Sequence, residues 1–373
     1  MRADRNGMSI EDRTMFELHS LYQKYGYSRF KMGKFEDYDL YVRNKDFLST
    51  ENIITFRDVN GRLAALKPDL TLSIVKNYRY QPGYVQKVYY SENIYRASQD
   101  AQAFQELTQT GLECIGDVGL YDTFEVTMLA VRSLAKISPD YALQISHMGL
   151  IESVLAPVPK DLHNAILRCL SEKNGHELKR ICEENGIEEP VTETLETLVA
   201  TYGDYRKVLK VLRKLDLDEQ GQKAIEELQD VIGLLAAYKL SSRVRIDFSI
   251  VSNLKYYSGI LFKGYINGVA EAVLSGGKYD KLMERMGRKC GALGFAVYLN
   301  HLEYMKREAR KYDVDIVFLY TLEDDLREMY RAIRELTAEG NTVLVEKKVP
   351  ESIRCRKMMR LSGGEVITVA SDD

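Results

Sequence analysis

The sequence lacks any apolar run as long as a signal peptide or a membrane-spanning helix. Its first thirteen residues, MRADRNGMSIEDR, are polar. These absences exclude a membrane-embedded protein and give no sign of secretion. We therefore expect a cytoplasmic protein with no membrane partner.

Cysteine and histidine are both scarce. The five cysteines are odd in number and have no close-paired spacing, which fits neither a disulfide framework nor a zinc knuckle. The five histidines are scattered along the chain. We expect reduced cysteines, no metal site and no cofactor.

An excess of charge of one sign is also missing. The chain has 52 basic and 55 acidic residues, for a formal net charge of −3. No broad positive field exists to attract a polyanion, which disfavours a dedicated nucleic-acid binder. The composition, 45% hydrophobic and 29% charged, is ordinary for a globular protein. A length of 373 residues predicts a large domain with a smaller appendage.

Two local signals organise the first hundred residues. Ser9 with Asp12 predicts a capped helix that ends at Gly26. Asn60-Gly61 predicts a hairpin between strands at Ile53–Arg57 and Leu63–Leu66. Further strands, joined by short turns, predict an antiparallel sheet; they lie at Tyr84–Tyr90, Ile94–Arg96 and Thr110–Gly116.

A helical block interrupts this sheet. After a helix at Asp122–Ala135, the pattern stays helical with charged faces from Leu162 to Lys239, which predicts a helical insertion at about 160–240. The strands that complete the sheet are predicted at Arg243–Phe248, Tyr256–Ile266 and Ala270–Leu274.

A separate small α/β domain is predicted at 312–373, after a main domain at 1–311. Strands and helices alternate there. The predicted elements are a strand at Asp315–Leu319, a helix at Leu322–Thr337, a strand at Thr342–Glu346, a helix at Ser352–Leu361 and a strand at Glu365–Ala370.

The segment TGLECIGD carries a carboxylate on a strand. Period-two alternation places Gln109, Gly111 and Glu113 on one face. By itself this pattern favours the solvated face of a half-exposed strand over a binding site. Upstream, LKPDLTLSIVKNY places Asp69 and Thr71 at the start of a helix, where Asp69 suits either a cap or a site.

Taken together, a series of motifs resembles the class II histidyl-tRNA synthetases in order and spacing. The resemblance covers about Phe16 to Leu302 and includes the signatures LxYYxGxxF and GGxYDxL. It implies an α+β fold, with a class II aminoacyl-tRNA synthetase-like antiparallel sheet flanked by helices, and a dimer built partly through GKFEDYDLY. That motif departs from the family because Gly33 replaces a usual proline. The matching segments are RDVNGRLAALKPDLTLSIVKNY, KVYYSENIYR, QELTQTGLECIG, SNLKYYSGILFKGY, SGGKYDKLMERMG and ALGFAVYLNHLE.

The resemblance implies a histidine-binding site. Chemically, Glu113 suits an imidazole N–H, Asp69 suits an ammonium and Arg96 suits a carboxylate. SGGKYDK lacks the glycine spacing of a phosphate loop. We expect its glycine pair to allow a close backbone approach at a strand end, and we place the motif at the pocket floor. One of the two adjacent tyrosines could instead pack in the core. The implied site residues are Asp69, Thr71, Arg96, Gln109, Glu113, Tyr256 and Tyr257.

The nucleotide side of the family's site does not carry over. Adenylate formation needs guanidinium groups on phosphate oxygens, but Ser252 and His301 stand where the family has arginines. Ser98 replaces a glutamate in the loop ASQDAQAF, and Lys255 replaces an aspartate. These losses predict binding of histidine without catalysis.

That combination resembles the regulatory subunits of short-form ATP phosphoribosyltransferase, a paralogous family. The resemblance implies free histidine as a feedback effector and a homodimer within a hetero-octamer with the catalytic subunit; tRNA is not expected as a partner. The C-terminal domain resembles a truncated anticodon-binding domain. The alternatives are a histidine–tRNA ligase with substituted catalytic residues and a stand-alone paralogue with another binding role.

Overall fold

The computed structural model describes residues 9–44, 53–79, 81–98, 103–252, 254, 256–304, 312–350 and 352–372. The chain divides into two compact units, Met1–Met305 and Lys306–Asp373.

The first unit contains eleven of the described α-helices and a 3-10 helix at Leu299–Tyr304. The α-helices are α1 (Ile10–Lys24), α2 (Tyr38–Arg43), α3 (Thr71–Asn77), α4 (Leu120–Ile137), α5 (Met148–Leu155), α6 (His163–Glu172), α7 (Gly175–Glu184), α8 (Glu189–Ala200), α9 (Tyr205–Leu212), α10 (Glu219–Ala237) and α11 (Asp280–Arg285).

Its described strands form two sheets. They are β1 (Ser28–Arg29), β2 (Phe35–Asp37), β3 (Thr55–Arg57), β4 (Leu63–Leu66), β5 (Val85–Ser98), β6 (Ala103–Gly116), β7 (Tyr141–His147), β8 (Tyr202–Gly203), β9 (Val244–Asp247), β10 (Ile260–Ile266), β11 (Leu274–Lys278) and β12 (Gly291–Tyr298).

The large sheet has the strand order β1-β5-β6-β12-β11-β10-β7-β9-β8. Its six central strands, from β5 to β7, pair antiparallel. Within the described residues of this sheet, parallel pairing occurs only at β1 with β5 and at β7 with β9. The predicted antiparallel sheet is thus confirmed, and parallel strands extend it at both ends.

The two local signals near the N-terminus produce the predicted structures. The Ser9 hydroxyl accepts a hydrogen bond from the Asp12 amide at 3.0 Å and caps α1. Strands β3 and β4 pair antiparallel around a turn in which Gly61 has φ +77°, a conformation that favours glycine. With β2 they make the small sheet β2-β4-β3.

The helical insertion comprises α6 to α10, interrupted by the short strand β8. Helix α10 packs on α4 and α5 and contributes Ile225, Leu228 and Leu235 to the main core. The insertion is therefore joined to the sheet domain through a shared apolar core.

Two predicted strands are displaced. The predicted strand Tyr256–Ile266 begins only at Ile260, so both tyrosines precede it. The strand predicted at Ala270–Leu274 is instead Leu274–Lys278. Pairing with a neighbouring strand sets both ranges, since β10 pairs with β7 from Ile260 to Ile266 and β11 pairs with β12 from Leu274 to Lys278.

The second unit forms a four-stranded mixed sheet of order β14-β13-β15-β16. Its elements are β13 (Val314–Leu319), α12 (Leu326–Ala338), β14 (Val343–Glu346), β15 (Cys355–Ser362) and β16 (Glu365–Ser371). The predicted helix at Ser352–Leu361 is wrong, because β15 occupies most of that range. Strand β15 pairs with β13 and β16 on its two sides, and this non-local pairing outweighs the helix propensity of its Arg, Lys, Met and Leu residues.

Across the described ranges, no helix is both long enough and apolar enough to cross a membrane.

Candidate functional site

One pocket on the face of the large sheet brings together all seven residues implied by the histidyl-tRNA synthetase resemblance. Strand β6, the start of α3 and the segment before β10 supply most of them. The pocket is lined by Asp69, Thr71, Arg96, Gln109, Glu113, Tyr256 and Tyr257, together with Leu70, Tyr90, Ser275, Gly276, Tyr279, Gly294, Phe295, Ala296 and Tyr298.

The alternation predicted for β6 decides which of its side chains face the pocket. Gln109 and Glu113 both line it, at 8% and 2% exposure. Leu112 and Cys114 point the other way, into the main core. A solvated face is therefore excluded for this end of β6.

Glu113 is the more buried of the two carboxylic acids that line the pocket. Tyr279 Oη donates to its Oε2 at 2.6 Å, and Thr71 Oγ1 donates to its Oε1 at 3.3 Å. Burial raises the pKa of Glu113 to about 8, although the Tyr279 hydroxyl opposes the shift. The Glu113 carboxyl group is therefore mainly neutral near pH 7, and it accepts hydrogen bonds from two hydroxyl groups.

Glycines let this side chain lie flat on the sheet. Gly294 of β12 stands directly opposite Glu113, and a Cβ at Gly294 would come within 1.7 Å of Glu113 Oε2. A Cβ at Gly111 would lie 2.7 Å from Tyr90 Oη. Any larger residue at either position would displace a side chain that forms the pocket.

Asp69 and Arg96 place opposite charges at another part of the pocket. Asp69 Oδ1 accepts from the Leu72 amide at 2.9 Å, so it caps α3 while facing the pocket. Burial raises the pKa of Asp69, whereas the Leu72 amide and the Arg96 guanidinium oppose that rise. Arg96 Nε donates to the Pro68 carbonyl at 3.2 Å, which fixes the guanidinium relative to the Asp69 segment.

Aromatic rings form a further wall. The ring centroids of Tyr256 and Tyr257 are 4.6 Å apart, and those of Tyr256 and Tyr279 are 5.8 Å apart. Burial raises the pKa of all three hydroxyls, so they remain neutral donors and acceptors. Such a wall suits a flat heteroaromatic ring.

The SGGKYDK motif lines the pocket through Ser275, Gly276 and Tyr279. Sequence reasoning placed this motif at the pocket without naming Ser275 or Tyr279 as binding residues, and it missed Tyr90 and Tyr298. All four lie inside quoted motifs, but only the register of β5, β11 and β12 around β6 brings them to one face.

The positions expected to hold phosphate-binding arginines carry no such chemistry. His301 Nδ1 donates to the Ala272 carbonyl at 2.9 Å, and His301 Nε2 lies 3.1 Å from Glu271 Oε2. Both ring nitrogens are thereby engaged within the protein. The imidazole is held in place by its neighbours rather than presented to a nucleotide.

Two other substituted positions lie elsewhere in the fold. Ser252 lines a separate cavity beside α5 and α6. Ser98 is the last residue of β5 and pairs with Ala103. Lys255 lies outside the described residues.

No group of three or more His, Cys, Asp or Glu side chains with the geometry of a metal site occurs within the described ranges.

This sheet, with a pocket that holds carboxylates, a guanidinium and tyrosines on one face, defines a class II aminoacyl-tRNA synthetase-like protein. The family model described as histidyl-tRNA synthetase matches residues 8–302. The chain therefore belongs to the histidyl-tRNA synthetase family, which includes non-synthetase paralogues.

Among its relatives, the chain is similar to the ATP phosphoribosyltransferase regulatory subunit of Oceanobacillus iheyensis. The identity is 27% over 292 residues, covering 77% of this chain and 71% of the relative. A second such regulatory subunit, from Ruminiclostridium cellulolyticum, is 25% identical over 371 residues, with 95% and 87% covered.

A solved structure with a similar fold is described as an ATP phosphoribosyltransferase regulatory subunit/histidyl-tRNA synthetase from Bacillus halodurans. Its TM-score is 0.76 at 24% identity, with 90% of this chain and 88% of that chain covered. Another belongs to the ATP phosphoribosyl transferase (HisG:HisZ) complex of Thermotoga maritima, with a TM-score of 0.61 at 24% identity and 76% and 96% covered.

Proposed function

We propose that this chain is a non-catalytic regulatory subunit of ATP phosphoribosyltransferase, and that free histidine binds in the pocket around Glu113. Curated relatives that cover most of the chain are regulatory subunits of that enzyme. The observation that carries the proposal is a difference between the amino-acid side and the phosphate side of the site. The amino-acid side of the site is built from buried, hydrogen-bonded groups, whereas the expected phosphate side lacks guanidinium groups at Ser252 and His301.

The pocket matches each polar part of histidine. The zwitterion has an ammonium group, a carboxylate and an imidazole with two nitrogens that need partners. Asp69 supplies an acceptor for the ammonium, and Arg96 a donor fork for the carboxylate. Glu113 supplies an acceptor for an imidazole N–H, and Tyr256 and Tyr257 supply rings and hydroxyls.

Adenylate formation is not supported by the same residues. Negative charge develops on the α-phosphate in that reaction and requires preorganised cationic donors. Ser252 is neutral and lines a different cavity, and the His301 ring is engaged by Ala272 and Glu271. A regulatory role without aminoacylation follows.

The catalytic subunit is the partner in this proposal, and a relative of similar fold comes from a complex of that kind. Histidine that binds one quaternary state more tightly than another shifts the population toward that state, and the effect is reciprocal. We infer feedback inhibition of this form, acting through a homodimer within a hetero-octamer.

Thermal unfolding with histidine, histidinol and ATP tests the proposal. Histidine at a hundredfold its dissociation constant adds about 2.7 kcal/mol to the free energy of unfolding. Histidinol stabilises less at equal concentration, because it lacks the carboxylate that Arg96 binds. ATP gives no shift, and no histidine-dependent exchange of pyrophosphate into ATP occurs.

The same series separates the alternatives. A shift with ATP together with pyrophosphate exchange would identify a histidine–tRNA ligase. No stabilisation by histidine would identify a stand-alone paralogue with another role. Either result contradicts the regulatory proposal.

A further inference from the structure

The two pocket tyrosines lie on a stretch that no regular element supports. We call Leu254 and residues 256–259 the tyrosine segment; it lies between β9 and β10. Its positions are therefore fixed by side-chain and turn contacts rather than by a strand ladder. The affinity of the pocket depends on those contacts.

The carboxyl-terminal side of the segment is attached to the β11–α11 junction. The Ser258 amide donates to the Lys278 carbonyl at 2.9 Å. Ser258 Oγ accepts from the Asp280 amide at 3.1 Å. Gly259 follows, and its carbonyl accepts from the Met148 amide at 2.8 Å.

The Lys281 side chain attaches the amino-terminal side of the tyrosine segment. Lys281 Nζ donates to the Leu254 carbonyl at 2.8 Å and also pairs with Glu152 of α5. The side chains of Lys281 and Glu152 are 31% and 23% exposed, so solvent screens the pair only in part. Neither residue lines the pocket around Glu113.

The hydrogen bond from Lys281 to the Leu254 carbonyl therefore acts on the pocket through the backbone of the tyrosine segment. An ammonium group has three donors, and Lys281 uses them to join the tyrosine segment to α5. Without it, the Leu254 carbonyl loses that donor, and more of the tyrosine segment must be ordered when a ligand binds. Ordering on binding weakens affinity without removing any direct contact.

We propose that Lys281 is a positioning residue of the pocket, which joins the Leu254 carbonyl to the Glu152 carboxylate and so preorganises Tyr256 and Tyr257 for histidine. This inference rests on the proposed histidine-binding function.

Calorimetric titration of the full chain with histidine tests it. Lys281→Met keeps the length of the side chain and removes its donors, so affinity falls about tenfold. Lys281→Arg retains both contacts and stays within about threefold of the wild-type chain. Lys136→Met is the matched control: Lys136 of α4 pairs with Glu17 of α1 and does not line the pocket around Glu113, so affinity is unchanged.

A spectroscopic measurement distinguishes positioning from general destabilisation. The chain has no tryptophan and 25 tyrosines, so its near-ultraviolet circular dichroism is dominated by tyrosine. Lys281→Met alters the histidine-induced change in that signal, and Lys281→Arg restores it.

Equal histidine affinity of Lys281→Met and the wild-type chain would overturn the inference. So would an equal loss in the methionine and arginine variants. A wild-type chain that binds no histidine overturns the proposed function as well, which separates the two failures. Should Lys281→Met fail to fold, Glu152→Met, which removes the acceptor of Lys281 Nζ, replaces it: weaker binding than for Lys281→Arg supports positioning, and equal binding contradicts it.

Discussion

Glu113 combines burial, two hydrogen-bond donors and a raised pKa at a single position. Burial favours its neutral form, while Tyr279 and Thr71 stabilise the ionised form. Such an arrangement holds the Glu113 carboxyl group in a fixed position in the pocket. At the residue scale, this carboxyl group is the centre of the proposed recognition of histidine.

The raised pKa predicts a pH dependence of stability. Between the ordinary pKa of 4.5 and about 8, the folded chain holds a proton on Glu113 that the unfolded chain has released. Raising the pH through this window therefore favours unfolding. We expect the free energy of unfolding of the wild-type chain, minus that of Glu113→Gln, to fall by about 1 kcal/mol per pH unit.

Urea unfolding of both chains at several pH values, without histidine, measures this difference. Titrations of groups that do not interact with Glu113 cancel in the subtraction. A difference that stays constant from pH 5 to 8, or that rises, would show that Glu113 is not held neutral.

The residue types of the site follow from the sequence, but their arrangement does not. Motif spacing identified Asp69, Arg96 and Glu113, and the period of β6 placed Gln109 and Glu113 on one face. Whether that face was solvated or formed a pocket depended on β12, which is remote in sequence. For the same reason Tyr279 was missed as the donor to Glu113.

At the scale of elements, the pairing of β6 with β12 builds the floor of the pocket. The register sets Glu113 opposite Gly294 and Gln109 opposite Tyr298. The first pairing is possible only because Gly294 has no side chain. The register of two strands thus determines the shape of the pocket.

Gly294→Ala tests this role. The added methyl overlaps the Glu113 carboxylate and the Leu112 carbonyl, so the free energy of unfolding falls by about 3 kcal/mol. Gly233→Ala in α10 is the control, because a Cβ there meets nothing within 4 Å; it raises the free energy of unfolding by up to about 1 kcal/mol. Similar effects of the two substitutions in urea unfolding would refute the steric argument.

Elements with strong local signals were predicted well, and those determined by pairing were not. The cap at Ser9 and the turn at Gly61 depend on adjacent residues, and both are present. Strand β15 was predicted as a helix because its sequence carries helix-forming side chains. Its two neighbouring strands supply hydrogen bonds that local propensity does not reveal.

At the scale of the whole molecule, the fold of a synthetase is retained while its chemistry is not. The shared core of sheet and insertion supports the pocket in which we propose that histidine binds. Ser252 and His301 stand where the resemblance to the synthetases implies the arginines that activation needs. A binding protein that senses histidine for another enzyme is the function that this combination supports.

The most direct test is phosphoribosyltransferase activity of the cognate catalytic subunit, measured with and without this chain and with increasing histidine. We predict that the wild-type chain raises activity and that histidine then inhibits it. With Glu113→Leu the activation persists, whereas inhibition requires at least about tenfold more histidine, since leucine has no acceptor for the imidazole N–H. Absence of activation, or the same histidine sensitivity with both chains, would contradict the account.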